Sequence, residues 1–194
     1  EADSARAAAS AAGGPAVTRA MATARPVSKP RTSSDLSAGG RARIGNGSVI
    51  KSCRSIQNID VSEHGRISGA NLLKNLSVDS AAGTPTTIGE GVELIDGHIG
   101  VGCEVCYGVK AIRFCLATNV TLNNGARCID TVLGDNITVA CCEVVSALVF
   151  PFHEQHHNNS FLIAATIQGQ CDIAAGATIR SEEHTSELQS LLII

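Results

Sequence analysis

Ile99-Gly100-Val101-Gly102, Leu133-Gly134-Asp135-Asn136 and Ile173-Ala174-Ala175-Gly176 are copies of one short unit: an aliphatic residue, a small one, any residue, then Gly or Asn. Ile44-Gly45-Asn46-Gly47 and Ile88-Gly89-Glu90-Gly91 repeat it nearer the start. A repeat names an architecture rather than a single element, so it ranks ahead of local propensity. Outward from these units a longer period emerges. Ile44, Val61 and Val78 stand 17 residues apart, and after a four-residue slip so do Ile99, Leu116, Leu133, Phe150 and Ile167. Inside each interval the aliphatic position recurs at steps of six, six and five. The coils read Ile99-Val105-Ala111, Leu116-Leu122-Cys128, Leu133-Val139-Val145, Phe150-His156-Leu162 and Ile167-Ile173-Ile179. Fourteen of these fifteen positions are apolar. With 44% of the chain apolar, chance would supply that on the order of once in ten thousand trials.

The period predicts an all-β fold, a parallel β-helix in the form of a triangular prism with about 17 residues per coil. Each unit lays a short strand on one face, turns at a Gly or Asn that accepts positive φ, and points one aliphatic side chain inward. Coils stacked roughly 4.8 Å apart pair in parallel, each inward residue resting on its counterpart. Eight such coils make a rod of roughly 40 Å. The slip at 81–86, which contains Pro85, predicts a loop bulging from one corner.

The ends differ from the middle. Residues 1–43 are rich in Ala, Arg, Ser, Gly and Pro, without an apolar period, and read as a disordered or linker-like segment in which Ser4 to Ala12 alone has the alanine content for a short helix. Domain 44–179 carries the repeat. In 180–194, the run Arg180-Ser181-Glu182-Glu183-His184-Thr185-Ser186-Glu187-Leu188-Gln189-Ser190 matches, residue for residue, the translation of a common sequencing adapter. It is set aside as non-native, as fusion scars are, which makes the prism a truncated one.

Composition excludes several function classes. Fifteen Lys+Arg against eighteen Asp+Glu, net charge -3, leave no basic footprint for nucleic acid, and one Tyr, four Phe and no Trp leave no platform for stacking bases. Apolar runs such as Ala147 to Phe150 and Phe161 to Ala165 are too short to span a bilayer, and no signal peptide opens the chain, so the expected compartment is the cytoplasm. Eight cysteines at irregular spacing, with Cys141 and Cys142 adjacent, read as reduced thiols. Cys103-x-x-Cys106 lacks the second pair that a zinc site needs. Cys103, Cys115 and Cys171 fall at the unit's small-residue position and read as buried filler.

The chemistry-bearing segment is Phe150-Pro151-Phe152-His153-Glu154-Gln155-His156-His157-Asn158-Asn159-Ser160-Phe161-Leu162-Ile163-Ala164. His156 is the one polar residue on the inward register, in a coil without the Gly-type turn, and a place that breaks the local rule is where function is often found. His156 and His157 are the candidate catalytic residues, with His153, Glu154, Asn158 and Asn159 in support. Imidazole titrates near neutral pH, so either histidine could take the proton of a hydroxyl or amine as it attacks an acyl thioester. A corner loop with solvated histidines is the bland alternative. A zinc site at His153, His156 and His157 is a weaker one, because adjacent histidines rarely converge on one ion.

This segment, with Gln168-Gly169-Gln170 and Ile173-Ala174-Ala175-Gly176-Ala177-Thr178-Ile179 after it, resembles the domain-of-unknown-function family 4954. The resemblance covers 44–179 and implies a left-handed helix, a kinship of architecture with sugar-nucleotide acyltransferases, and a native chain that runs on past residue 179. It further implies a homotrimer, a nucleotide-sugar or related small metabolite as substrate, and acyl-CoA or acyl carrier protein as donor. It brings no catalytic assignment. The alternatives are a non-catalytic scaffold or ligand-binding module, and a zinc-dependent prism of carbonic-anhydrase type. Removing residues 180–194 is expected to leave the chemical denaturation midpoint unchanged. A loss above about 1 kcal/mol, the size of a typical single-site effect, would mean that the segment packs on the prism.

Overall fold

A computed structural model describes residues 42–179. The expectations for the first 41 residues and for 180–194 lie outside the described residues. Within them the chain is all strand, turn and bend, in nineteen short strands with no helix. The named strands pair in parallel and form two sheets, one of eleven strands and one of eight. This is a β-solenoid of about eight turns, with successive turns mostly 17 residues apart. None of the described residues forms a helix long and apolar enough to cross a membrane.

The sequence period places the faces. In the larger sheet Leu72–Val78, Glu93–Ile99, Lys110–Leu116 and Arg127–Leu133 are seven-residue strands that serve two faces each. They bend in the middle at Asn75, Asp96, Arg113 and Asp130, all at positive φ. The smaller sheet is the third face. Two further columns of left-handed residues close the coil: Gly102, Asn119, Asn136, Phe152 and Gly169, and Gly91, Gly108, Gly125, Cys141, Asn159 and Gly176. Gly or Asn was expected at such turns. Arg113, Asp130, Tyr107, Cys141 and Phe152 also occupy them, so stacking on the coils above and below holds a conformation that these side chains disfavour alone. Arg113 donates two hydrogen bonds to the carboxylate of Asp130 in the next coil, one of them 2.8 Å long.

The core is a set of inward columns. Val61, Val78, Ile99, Leu116 and Leu133 lie in register, as the period required, and all are fully buried. Ile67, Ile88, Val105, Leu122 and Val139 form a second column. Leu73, Leu94, Ala111 and Cys128 form a third. Gly97 is required by close approach, since a Cβ there would stand 2.4 Å from the Phe114 ring that fills the space above it. The four-residue slip is the loop expected: residues 81–84 are exposed and joined by an isolated Ala81 to Thr84 bridge.

Beyond Leu133 the strict period fails by one residue. The corners Tyr107-Gly108 and Asn124-Gly125 each use two left-handed residues, whereas the next coil turns on Cys141 alone. Cys128 therefore pairs with Val144, and Leu133 with Val149. The backbone confirms it: Gly134 N–H reaches the carbonyl of Val149, where an unbroken count would offer Phe150. In a strand, one residue of slip exchanges the two faces. Val145, Phe150 and His156, expected inside, are accordingly displaced, and Val144, Val149 and Gln155 take the inward places. Phe150 is 43% exposed. Val149 to Ile167 and Val144 to Leu162 are then 18-residue intervals, which restore the register.

Leu116→Ala or Leu122→Ala should each cost about 2–5 kcal/mol, the usual loss for an aliphatic side chain in a packed core. Phe150→Ala should stay within roughly 0.5 kcal/mol, as for other surface changes. Urea denaturation of the three variants measures both, and a large loss at Phe150 would restore the unbroken 17-residue count.

Candidate functional site

The coil that follows the short corner carries the histidine block, and its inward and outward residues follow from the slip. His153 stands above Ile137 in the column Cys103, Val120, Ile137, and faces Cys171 in the next coil. Gln155 stands above Val139. Both are fully buried, as is Ser160. His156, His157, Glu154, Asn158 and Asn159 are all exposed. The six residues proposed from sequence thus separate into one interior side chain, His153, and five on the outer surface of the corner.

The interior members form a chain of hydrogen bonds. His153 Nε2 lies 3.4 Å from Gln155 Oε1, Gln155 Nε2 donates to Ser160 Oγ at 3.1 Å, and Ser160 Oγ donates to the His157 carbonyl at 3.0 Å. Because an amide oxygen only accepts, Nε2 carries the ring proton and Nδ1 is the bare nitrogen. That Nδ1 is buried without a hydrogen-bond partner. Burial pushes the His153 imidazole below its ordinary value, against a smaller upward pull from the Gln155 bond and from Asp172 and Glu154. Neutral His153 is therefore the form that the prism holds at physiological pH.

Outside, His156 Nδ1 is 3.8 Å from Glu154 Oε2, and the His156 and His157 rings lie 4.3 Å apart between centroids. A carboxylate near one ring nitrogen, at ion-pair rather than hydrogen-bond distance, leaves the other free to accept a proton, which is the minimum for a positioned base. Asn159 makes the turn that the missing glycine would have made, with φ of 63°. The weak metal alternative does not assemble: His153 points inward while His156 and His157 point outward, and among the described residues no group of three or more His, Cys, Asp or Glu could hold an ion.

Gln155 and Ser160 escaped the sequence reading. The signal that could have found them is the five-residue step from Val139 to Val144, visible once Cys141 is counted as a whole corner. All eight cysteines are free thiols. Burial lifts Cys103 and Cys142 to about 11 and Cys128 to about 12, values that keep them as protonated filler. Cys115 departs from the expectation for it. It does not share the inward column of Cys103 and Cys171 but follows buried Phe114 on the outward side, half-buried, in register with His98.

Stacked parallel strands, left-handed corners and an apolar interior place this protein among the β-solenoids with a hexapeptide-type repeat. Within that class the chain belongs to the family described as Domain of unknown function (DUF4954), whose model matches residues 21–188. The match is wider than the 44–179 expected and takes in part of the adapter-like segment. Over 138 residues the chain is 53% identical to an uncharacterized protein of Treponema pallidum (strain Nichols), a stretch that covers 71% of this chain and 19% of that protein.

The buried imidazole has a linkage consequence. Since its folded pKa is lowered, the unfolded chain binds the proton more readily. Stability should be unaffected by this group well above the ordinary imidazole value of 6.5 and should fall as pH drops below it. Denaturant titrations between about pH 7.5 and 5, bracketing the imidazole range, should show that loss in the native sequence and a flatter profile in His153→Leu. Equal slopes would mean that His153 is not a buried neutral group.

Proposed function

We propose that the protein is a transferase-like prism in which His156, oriented by Glu154, serves as general base for moving an acyl group from a thioester to a hydroxyl or amine. The observation that carries this reading is the Glu154 to His156 pair, 3.8 Å apart and turned out of the prism beside His157. Glu154 holds Nδ1, and the opposite nitrogen takes the acceptor's proton as the acceptor attacks the carbonyl carbon. The donor thiolate leaves and is protonated in its turn. Coenzyme A or an acyl carrier protein supplies the thioester, and a nucleotide-sugar or related small metabolite supplies the acceptor.

The outward aim of this corner means that its second wall comes from elsewhere. A neighbouring prism in a homotrimer would provide it, and a cytoplasmic location suits both the thioester and the free thiols. The chain spans 19% of the length of the Treponema pallidum relative, so further walls belong to the longer protein. The alternative, a non-catalytic scaffold, is favoured by one observation: among the described residues a groove opens at Ser146 and Ala164, away from the histidines.

The test is steady-state thiol release from acetyl coenzyme A with a panel of amino- and hydroxy-sugar nucleotides. His156→Asn should lower kcat about 10²- to 10⁴-fold, the usual share of a positioned base, and Glu154→Gln by less. If His156→Asn, with an unchanged circular dichroism spectrum, turns over every active pair at the native rate, the base assignment is wrong and the scaffold reading stands.

A further inference from the structure

Away from the histidine corner, one outer face carries a second arrangement of reactive groups. Along that face the outward column runs Ser77, His98, Cys115, Val132, Leu148 and Thr166, each in register with the next. His98 has a carboxylate on one side of it and a thiol at the register position on the other. Below it, Asp79 Oδ2 is 3.8 Å from His98 Nε2, and Asp79 is itself held by a 3.2 Å hydrogen bond from Ser62 Oγ. Above it is Cys115, its register partner on the next strand, the two backbones lying roughly 4.8 Å apart. Carboxylate, imidazole and thiol thus follow one another along the prism axis.

Beyond the thiol the column turns apolar. Val132 is 47% and Leu148 42% exposed, and Leu148 leads into an open groove of about 540 Å³ whose lining includes Ala147, Ala165 and Thr166. The groove exists because the corner column, which carries Arg113 and Asp130 in earlier coils, shrinks to Ser146 and Ala164. Three coil spacings, roughly 14 Å, separate Cys115 from Thr166.

We propose that Cys115, His98 and Asp79 form a thioester-exchange site that takes an acyl group of medium chain length onto the Cys115 sulfur, the chain lying over Val132 and Leu148 towards the groove. In the step, His98 removes the thiol proton as the sulfur attacks the thioester carbonyl. The new carbon–sulfur bond forms, the old one breaks, and the departing thiolate takes the proton back from the imidazolium. Nothing is oxidised or reduced. Asp79, hydrogen-bonded to Ser62, steadies the charged ring.

Burial holds the Cys115 thiol above its ordinary value, so the resting group is protonated and the reaction depends on the neighbouring base rather than on a standing thiolate. The titratable groups that face His98 are Asp79 from the coil below and Cys115 from the coil above, while its register partner Ser77 is neutral. The site does not use the histidine corner: its product is a stable acyl-protein formed without any acceptor, which separates its failure from that of the transfer reading.

The experiment incubates the full chain with octanoyl coenzyme A and, separately, acetyl coenzyme A, then locates the acyl group by intact mass and peptide mapping. Octanoyl should appear on Cys115 and not on Cys53, which is also half-buried but has no histidine at its register. His98→Gln should slow the labelling about 10²- to 10⁴-fold. Val132→Asp should slow octanoyl but not acetyl transfer. Equal labelling of Cys53 and Cys115, a His98→Gln rate equal to the native one, or a Val132→Asp effect of the same size on both thioesters would each overturn the proposal. Because all these positions are on the outer surface, circular dichroism of the variants should match the native spectrum, and mapping on the unaltered protein decides the matter should a variant misfold.

Discussion

Every side chain in this prism is placed by the coil beneath it. Parallel backbone hydrogen bonds such as Gly100 N–H to Leu116 and Ala117 N–H to Leu133, each 2.9 Å, tie one coil to the next at a fixed offset. A residue's height and face then follow from its count along the chain. The interior tolerates little error in that count, because a single residue gained or lost exchanges inside for outside over a whole strand. The ladder also explains the unfavourable corners. A positive φ at Arg113 or Phe152 is disfavoured locally, yet abandoning it would break the offset for the neighbouring coils.

The same constraint accounts for the buried polar layer. Once Cys141 turns the chain in one residue, Gln155 and His153 must lie where Val139 and Ile137 lie below them. Those groups cannot stay bare, and the layer satisfies most of itself: Gln155 joins His153 to Ser160, which closes on a backbone carbonyl. Only His153 Nδ1 is left over. Replacing such a layer by aliphatics would be expected to hold the fold as well or better, since half-satisfied polar networks contribute little net stability. Its presence is therefore not explained by the stability of the core.

Much of the fold was legible in the sequence, and the reason is particular. Ile99, Leu116 and Leu133 recur at one interval with Gly or Asn after each, and only stacked coils satisfy that pattern. The histidine coil was not legible to the same degree. Val144-Val145 and Val149-Phe150 are apolar pairs, and Gln155-His156 is a polar pair, so sliding the register by one leaves the same tally of apolar positions. Hydrophobic periodicity cannot see a slip whose two alternatives match in kind. Corner length could, but it requires knowing that a cysteine at positive φ can replace the two-residue Asn-Gly corner. The likeness of His153, His156 and His157 in sequence concealed their difference in space, and with it the polar layer.

The histidine corner and the His98–Cys115 face share a physical logic that the core does not impose. Packing one coil on the next requires the inward columns to be mostly apolar. Outward columns carry no such demand, and a reactive group placed on one coil is brought beside its partner simply by a residue count of about 17 in the sequence. His98 and Cys115 are neighbours for that reason, and so are Asp130 and Arg113. A solenoid can thus assemble a constellation without a shaped pocket, but it presents that constellation on an open face. Chemistry on such a face needs a second surface to exclude water, since proton transfer and thioester attack both gain from a drier setting. Val132 and Leu148 supply part of that cover at Cys115, where a bound acyl chain would itself complete it. At His156 the neighbours are the polar Glu154 and His157, which makes the corner the more dependent of the two on a partner prism.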